Sequence, residues 1–307
     1  MRNRKLIFLI LMTFVFAVSL PVMAQDYPVN YTDALDREVV IEEEVEKIIT
    51  LAPSMTEVVY ALGLEDKLVA VSSACDYPEE ALEKDDVGRI DEPDIEKIVA
   101  LEPDLVLAES VTDDESVERL SELGIKIIGF NPESINDTID MIEDVAYLTS
   151  AEEAGDEVTS RMESDYQNLK ELVSEKLENN ERKRVFYEIW SDPLYTAGEG
   201  TFIDSLIHDA GGYNIGRDAE GSWPTYSLES LIDADPEVYV SSAHSTPEGL
   251  TLEELRERET FREISAFKND RLYLVDQDLV NRPSPRIIDG YREFIQAIFP
   301  ELKEEIN

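Results

Sequence analysis

The chain carries few groups that could make or break bonds. It has two histidines, His208 and His244, and one cysteine, Cys75, against 69 aspartates and glutamates. A zinc site wants several imidazole, thiolate or carboxylate ligands converging on one point, and no segment gathers them. Neither an H-E-x-x-H helix nor a G-x-S-x-G elbow occurs. A serine, a histidine and an acid could be assembled from so many candidates, yet no spacing asks for that triad. The sequence assigns no catalytic residue, no metal ligand and no cofactor. It offers instead aromatic side chains with a polar handle at segment ends: Tyr77, Trp190, Tyr195, Trp223 and Tyr226. These can cover a large flat ligand and leave few hydrogen bonds to satisfy. A core location is the other reading for both tryptophans, less expected for Trp223 in the loop sequence Gly221-Ser222-Trp223-Pro224. Arg282-Pro283-Ser284-Pro285-Arg286 is a stiff basic turn in an acidic chain. It either holds a polar edge of a ligand or pins the last helix. His208 falls in a helix at the surface or a boundary, and His244 follows the strand Glu237 to Ser242.

The elements that must position these residues come in pairs. Ile95 to Ala108 (IEKIVALEPDLVLA) is echoed 133 residues later by Leu228 to Ser241 (LESLIDADPEVYVS), with Glu96 on Glu229 and Pro103 on Pro236. Each copy reads as the end of an amphipathic helix, an acidic proline turn and a buried strand. The spacing is too long for a solenoid. Upstream, Lys47 to Leu51 leads into a helix opened by Pro53-Ser54-Met55-Thr56-Glu57 and closed by Gly63. Val185 to Trp190 leads likewise into one opened by Gly198-Glu199-Gly200-Thr201 and closed by Gly211-Gly212. Leu123 to Phe130 and Leu272 to Asp276 add one more strand per half. Alternating strands and helices predict two similar α/β lobes, each showing a Glu at the same place on its surface. No dinucleotide or phosphate-loop glycine signature is present.

Between the halves, Ala154, Val158, Met162, Tyr166, Leu169, Leu172, Val173 and Leu177 recur at steps of three and four. Ser150 with Glu153 predicts a capping-box start, and the pattern predicts a helix of about 28 residues, roughly 42 Å long. A coiled-coil segment would fit the same pattern, but a strut between two lobes fits better. The expected division is a leader at 1–24, an N-terminal lobe at 25–149, a connecting helix at 150–180 and a C-terminal lobe at 181–307. Arg2, Arg4 and Lys5, an apolar run to Val22 and a small-x-small site ending at Ala24 are expected to form a secretory signal, with an uncleaved anchor as the alternative. Its apolar run of about 17 residues is short for a membrane span of roughly 20. No cysteine follows it to take a lipid, and a single Cys permits no internal disulfide, so Cys75 is expected to be a small buried packer.

Removing the leader takes the formal charge from −42 to −45. That field repels nucleic acid and anionic membrane surfaces. Acids are scattered and apolar residues make up 43% of the chain, which argues for a folded protein rather than an acidic tail. A halophilic setting is expected, since salt at about 1 M screens charges within about 3 Å. An ordinary acidic protein is the alternative.

The segments PSMTEVVYALGL (53–64), SSACDYP (72–78), IEKIVALEPDLVLA (95–108), TAGEGTFIDSLIHDAGGYNI (196–215), SWPTYSLESLI (222–232) and RPSPRIIDG (282–290) carry a family resemblance. In this order they resemble the substrate-binding proteins of bacterial ABC importers for cobalamin and iron–siderophore complexes, over nearly all of the mature chain. The resemblance implies a non-catalytic, exported, monomeric α/β protein of two Rossmann-like lobes joined by one long helix, with ligand held between them. It implies that Glu96 and Glu229 dock on arginines of a membrane permease dimer. Cobalamin-binding members align best, with contacts matched at Trp223 and at the stretch Asp278 to Arg282. Their aromatic walls fall on Ala74, Ile90 and Leu279 here, and their disulfide cannot form. Tyr77, Trp190 and His244 complete the expected ligand-binding set. The expected ligand is a corrinoid. An iron–siderophore or haem is the alternative, for which Arg89, Arg217, Arg282 and Arg286 are the available cations. From other classes, an exported enzyme or a ligand-sensing subunit on the same fold stays open.

Overall fold

The computed structural model describes residues 27–242 and 250–306. The expected leader and His244 lie outside the described residues.

A hairpin of β1 (Val29–Thr32) and β2 (Glu38–Ile41) opens the described chain. Its turn is built on buried Asp33, whose carboxylate accepts the amides of Leu35, Arg37 and Gly129 at 3.0–3.1 Å. The sequence reading did not anticipate this hairpin. The first sheet follows, with β3 (Ile48–Thr50), β4 (Leu68–Val71), β5 (Asp85–Asp86), β6 (Leu105–Glu109) and β7 (Ile127–Phe130). All neighbours are parallel, in the order β5-β4-β3-β6-β7. Around it lie α1 (Pro53–Ala61), α2 (Ile95–Leu101), α3 (Asp114–Glu122) and α4 (Ile135–Leu148).

After the connecting helix α5 (Glu152–Leu177), the second half begins with β8 (Lys183–Glu188) and the small hairpin β9 (Trp190–Ser191) with β10 (Leu194–Tyr195). Then come α6 (Phe202–Asp209), β11 (Gly212–Asn214), α7 (Leu228–Ala234) and β12 (Val238–Ser241). The chain finishes with α8 (Leu252–Arg256), α9 (Ser265–Lys268), β13 (Leu272–Leu274), α10 (Gln277–Val280) and α11 (Ile287–Ile298). The second sheet is also parallel, ordered β11-β8-β12-β13. Leaving out edge strand β5, the two sheets have one topology. In each, the first strand lies between the second and the third, and the fourth closes the far edge.

The sequence echo is a structural repeat down to its hydrogen bonds. Helices α2 and α7 each have seven residues, capped by Asp94 and Ser227 accepting the third amide along. Both end on an acidic residue in the left-handed region, Glu102 at φ 50° and Asp235 at φ 42°. Pro103 and Pro236 follow, and then Asp104 and Glu237 accept the amides of Lys47 and Arg184 at 2.8 and 3.1 Å. Lys47 and Arg184 in turn bond the last carbonyls of their helices, satisfying acceptors that helix termini leave open. Strand register agrees: Ile48 faces Leu105 in one sheet and Val185 faces Val238 in the other.

Helix α5 has 26 residues, close to 39 Å at 1.5 Å per residue. Its start departs from expectation. Ser150 stands at φ 58° and its hydroxyl meets that of Tyr27 at 2.9 Å, so it turns the corner after α4 and makes no capping box. The helix is bolted to the second half. Tyr166 packs edge-on to Tyr291 at 5.6 Å and donates to Asp209, while Arg292 pairs with Asp165 at 3.0 Å. A single buried core runs through α4, α5 and α11, linking the halves behind the crevice.

Candidate functional site

The sheets do not merge. A cavity of about 550 Å³ lies between them, walled by residues that follow their strands. From the first half come Glu109, Ser110 and Val111 at the end of β6, and Asn131, Pro132 and Glu133 beyond β7. From the second come Gly200 to Ile203 at the start of α6, Ser222 and Trp223, and Val280, Asn281 and Pro283 around the end of α10. In parallel α/β sheets the carboxyl ends of strands are where ligands sit. The volume falls within the usual range for small-molecule sites.

The two walls differ. The second-half wall is aromatic and apolar, with Trp223 52% exposed and Phe202 beside it. A glycine holds Trp223 in place. Gly198 donates its amide to the Ser222 carbonyl at 2.8 Å, and a Cβ on Gly198 would stand 2.0 Å from the Gly221 carbonyl oxygen. Only glycine lets these segments approach so closely. The first-half wall is acidic. Glu109 keeps a little exposure toward the cavity, but protein surrounds its carboxyl on the remaining sides. The Ser54 hydroxyl donates to it from the first turn of α1. Burial pushes its carboxyl up to about 7, with the Glu57 charge adding to the rise. Glu133 is exposed on the same wall.

Next to the cavity a charge cluster spans the crevice. Glu57 of α1 is 4% exposed and takes a two-pronged bond from Arg286, at 2.8 and 2.5 Å. It also accepts the Ser284 hydroxyl at 2.6 Å and Arg282 at 3.3 Å. Arg282 continues to Asp76 at 2.7 Å and to Asp278 at 2.9 Å. The bond from Arg282 holds Asp76 below the ordinary carboxylate range, whereas burial pushes Asp278 above it. Arg286 also stacks 3.7 Å above the Tyr77 ring. Gly290 lets α10 and α11 pack tightly enough to present this turn, since a Cβ there would stand 2.3 Å from the Leu279 carbonyl oxygen. The basic turn of the sequence thus ties the two halves together, and its charges are answered by the protein's own carboxylates.

Of the nine residues expected to bind ligand, Trp223 lies on the cavity wall. Tyr77, Asp278 and Arg282 belong to the neighbouring cluster. Ala74, Ile90 and Leu279 are half-buried, and the Ile90 carbonyl accepts Thr112 next to the Val111 rim. Trp190 is 42% exposed on β9, its indole N–H bonded to the Asp192 carbonyl at 2.9 Å. A core location is therefore excluded for both tryptophans. Tyr226 differs from expectation. It packs on Phe186 at 5.3 Å, within the second half, because its backbone pairs with Leu194 beside that core. Arg89 pairs with Asp91, and Arg217 with Glu199, so all four arginines considered for an anionic ligand carry acidic partners. Sequence reasoning missed Glu109 and Glu133. The available signal was their position just at or after the carboxyl ends of β6 and β7.

Cys75 is buried against Thr56 and Ser72, and burial pushes its thiol up, away from reactivity. Among the described residues, no cluster of three or more histidine, cysteine or acidic side chains could hold a metal ion. Among them too, no helix is long and apolar enough to cross a membrane. Glu96 and Glu229 stand exposed in the first turns of α2 and α7.

Two sister sheets with a crevice between them and a helix behind define a substrate-binding fold, and comparison with known proteins gives its family. The periplasmic binding protein family matches residues 48–279, and the chain belongs to it. An ABC transporter substrate-binding lipoprotein of Bacillus subtilis is 33% identical over 284 residues, 91% of this chain and 88% of that protein. The vitamin B12-binding protein of Vibrio cholerae is 32% identical over 249 residues, 81% of this chain and 87% of that protein. The crystal structure of the periplasmic vitamin B12 binding protein of Vibrio cholerae superposes with a TM-score of 0.74 at 31% identity, covering 84% of this chain and 98% of that one.

Proposed function

We propose that this protein is the exported, monomeric substrate-binding subunit of an ABC importer, capturing a corrinoid between its lobes and delivering it to a membrane permease. The observation that carries this reading is the open interlobe cavity with Trp223 on one wall. A planar macrocycle would lay one face on that indole and its apolar neighbours. The vitamin B12-binding relatives support the choice of ligand. Among the described residues that line the cavity, Glu109 is the acid with a perturbed carboxyl, and the Ser54 hydroxyl holds it in place.

Delivery would use the repeated outer helices. Glu96 and Glu229 occupy equivalent exposed positions, and three residues on, Val99 and Ile232 are 36% and 39% exposed. Residues three apart share a helix face, so each half presents an acid beside an apolar side chain. Exposed ion pairs contribute only about 0.2–1 kcal/mol each, so the pair would set orientation more than affinity. Equilibrium dialysis against cyanocobalamin, cobinamide, haem and a ferric hydroxamate tests the reading. It expects one corrinoid per chain, and tighter binding of the hydroxamate would refute it.

A further inference from the structure

The four arginines considered for an anionic ligand are answered by carboxylates, and the cavity itself is lined by Glu109 and Glu133 with no lysine or arginine among its described residues. We infer that the first-half wall is a charge filter, in which Glu109, assisted by Glu133, selects ligands with a cationic centre or amide donors and rejects those with a carboxylate rim. This rests on the cavity being the ligand site.

The geometry favours Glu109 for the role. It ends a central strand, its carboxyl is fixed by the buried Ser54 hydroxyl, and one side of it opens to the cavity opposite the Trp223 wall. Its described neighbours supply one neutral hydroxyl and the like charge of Glu57, and no cation. A carboxylate held with so little compensation gains most from a ligand that brings positive charge or N–H donors. Burial, with the Glu57 charge adding to it, raises its carboxyl to about 7, so a cationic ligand would draw it into the charged form. A ligand rimmed by carboxylates, such as haem with its two propionates, would meet like charge in a partly desolvated crevice. The filter thus separates a corrinoid from haem, the two macrocycles weighed as ligands.

Cobinamide provides a matched probe, because its aquacyano form carries one positive charge and its dicyano form, made with excess cyanide, carries none. Binding would be measured at pH 8 by equilibrium dialysis for both forms and for haem. The wild-type protein is expected to prefer the aquacyano form by at least about tenfold over either competitor, a difference near 1.4 kcal/mol. In Glu109→Gln, which keeps the partner for Ser54, the preference should fall to about threefold, and Glu109→Gln with Glu133→Gln should remove it. Glu133→Gln alone changes an exposed side chain, and a fall in preference there supports the filter independently of any folding defect at Glu109. Equal wild-type binding of both cobinamide forms, or an unchanged preference in the double variant, overturns the inference. Trp223→Ala separates it from the reading beneath. If that variant loses binding while the Glu variants keep the wild-type preference, the filter alone fails. If no ligand binds the wild type, or Trp223→Ala binds like the wild type, the cavity reading fails and the filter with it.

Discussion

Seen from outside, the two halves are near copies; seen from the crevice they are not. Helices α2 and α7 share their length, their left-handed acidic ends, the lysine or arginine that closes them and an exposed Glu. The cavity walls share none of this: Glu109 and Glu133 stand on one side, Trp223 and Phe202 on the other. A repeated surface suits a partner that is itself built from two equivalent subunits. Unlike walls suit a ligand whose faces and edges differ. Under the proposed function the two surfaces have separate tasks, and each should be open to disturbance without the other.

The largest effect is expected from the shared surface. Glu96→Ala combined with Glu229→Ala should abolish uptake in a reconstituted importer while leaving ligand affinity unchanged. An affinity loss would show that outer and inner surfaces are not independent. Next comes the charge cluster joining the halves. Glu57→Ala leaves Arg286 and Arg282 facing each other without their shared carboxylate, and removing one partner of a buried pair costs about 3–5 kcal/mol. Urea unfolding should show that loss, and a change below about 1 kcal/mol would mean the cluster is incidental.

A smaller effect separates the acidic wall from the aromatic one. Because Glu109 has a raised folded-state value of about 7, the folded protein holds that proton more tightly than the unfolded chain does. Its contribution to stability is therefore present at low pH and declines as pH rises from about 4.5 to 7, by about 1–3 kcal/mol. Glu109→Gln should remove this decline, so its advantage over the wild type grows across that window. Parallel stability profiles for the two proteins would contradict the assignment. The smallest effect concerns both surfaces equally. With a net charge of −42 over the full chain, raising salt from 0.1 to 1 M should raise the melting temperature by about 5 °C. A melting temperature indifferent to salt would dismiss the halophilic expectation.

The outer surface was far more legible in the sequence than the inner one. The repeat at Ile95 and Leu228 could be read because buried helix and strand positions impose a pattern of apolar spacing. The acidic end residues and their proline turns preserved it. The cavity wall has no such period. Glu109 is merely the last letter of the strand LVLAE, and only the sheet order shows that this strand ends at the crevice. Arg282 and Arg286 were visible as a basic turn, but Glu57, their partner, lies 225 and 229 residues away along the chain. Ser150 misled because a Ser followed by Glu three residues on resembles a cap, while here the chain needs a left-handed corner between two helices. Tyr226 misled because a loop tyrosine can pack on its own lobe as readily as on a ligand.

The central claim is that the ligand lies against Trp223 between the halves. The chain has two tryptophans, both exposed and on neighbouring segments, which makes their fluorescence a direct test. Titration with cyanocobalamin should quench the wild type and Trp190→Phe to saturation, whereas Trp223→Phe should lose most of the quenching. Quenching that survives in Trp223→Phe and disappears in Trp190→Phe would place the ligand outside the cavity and contradict the account.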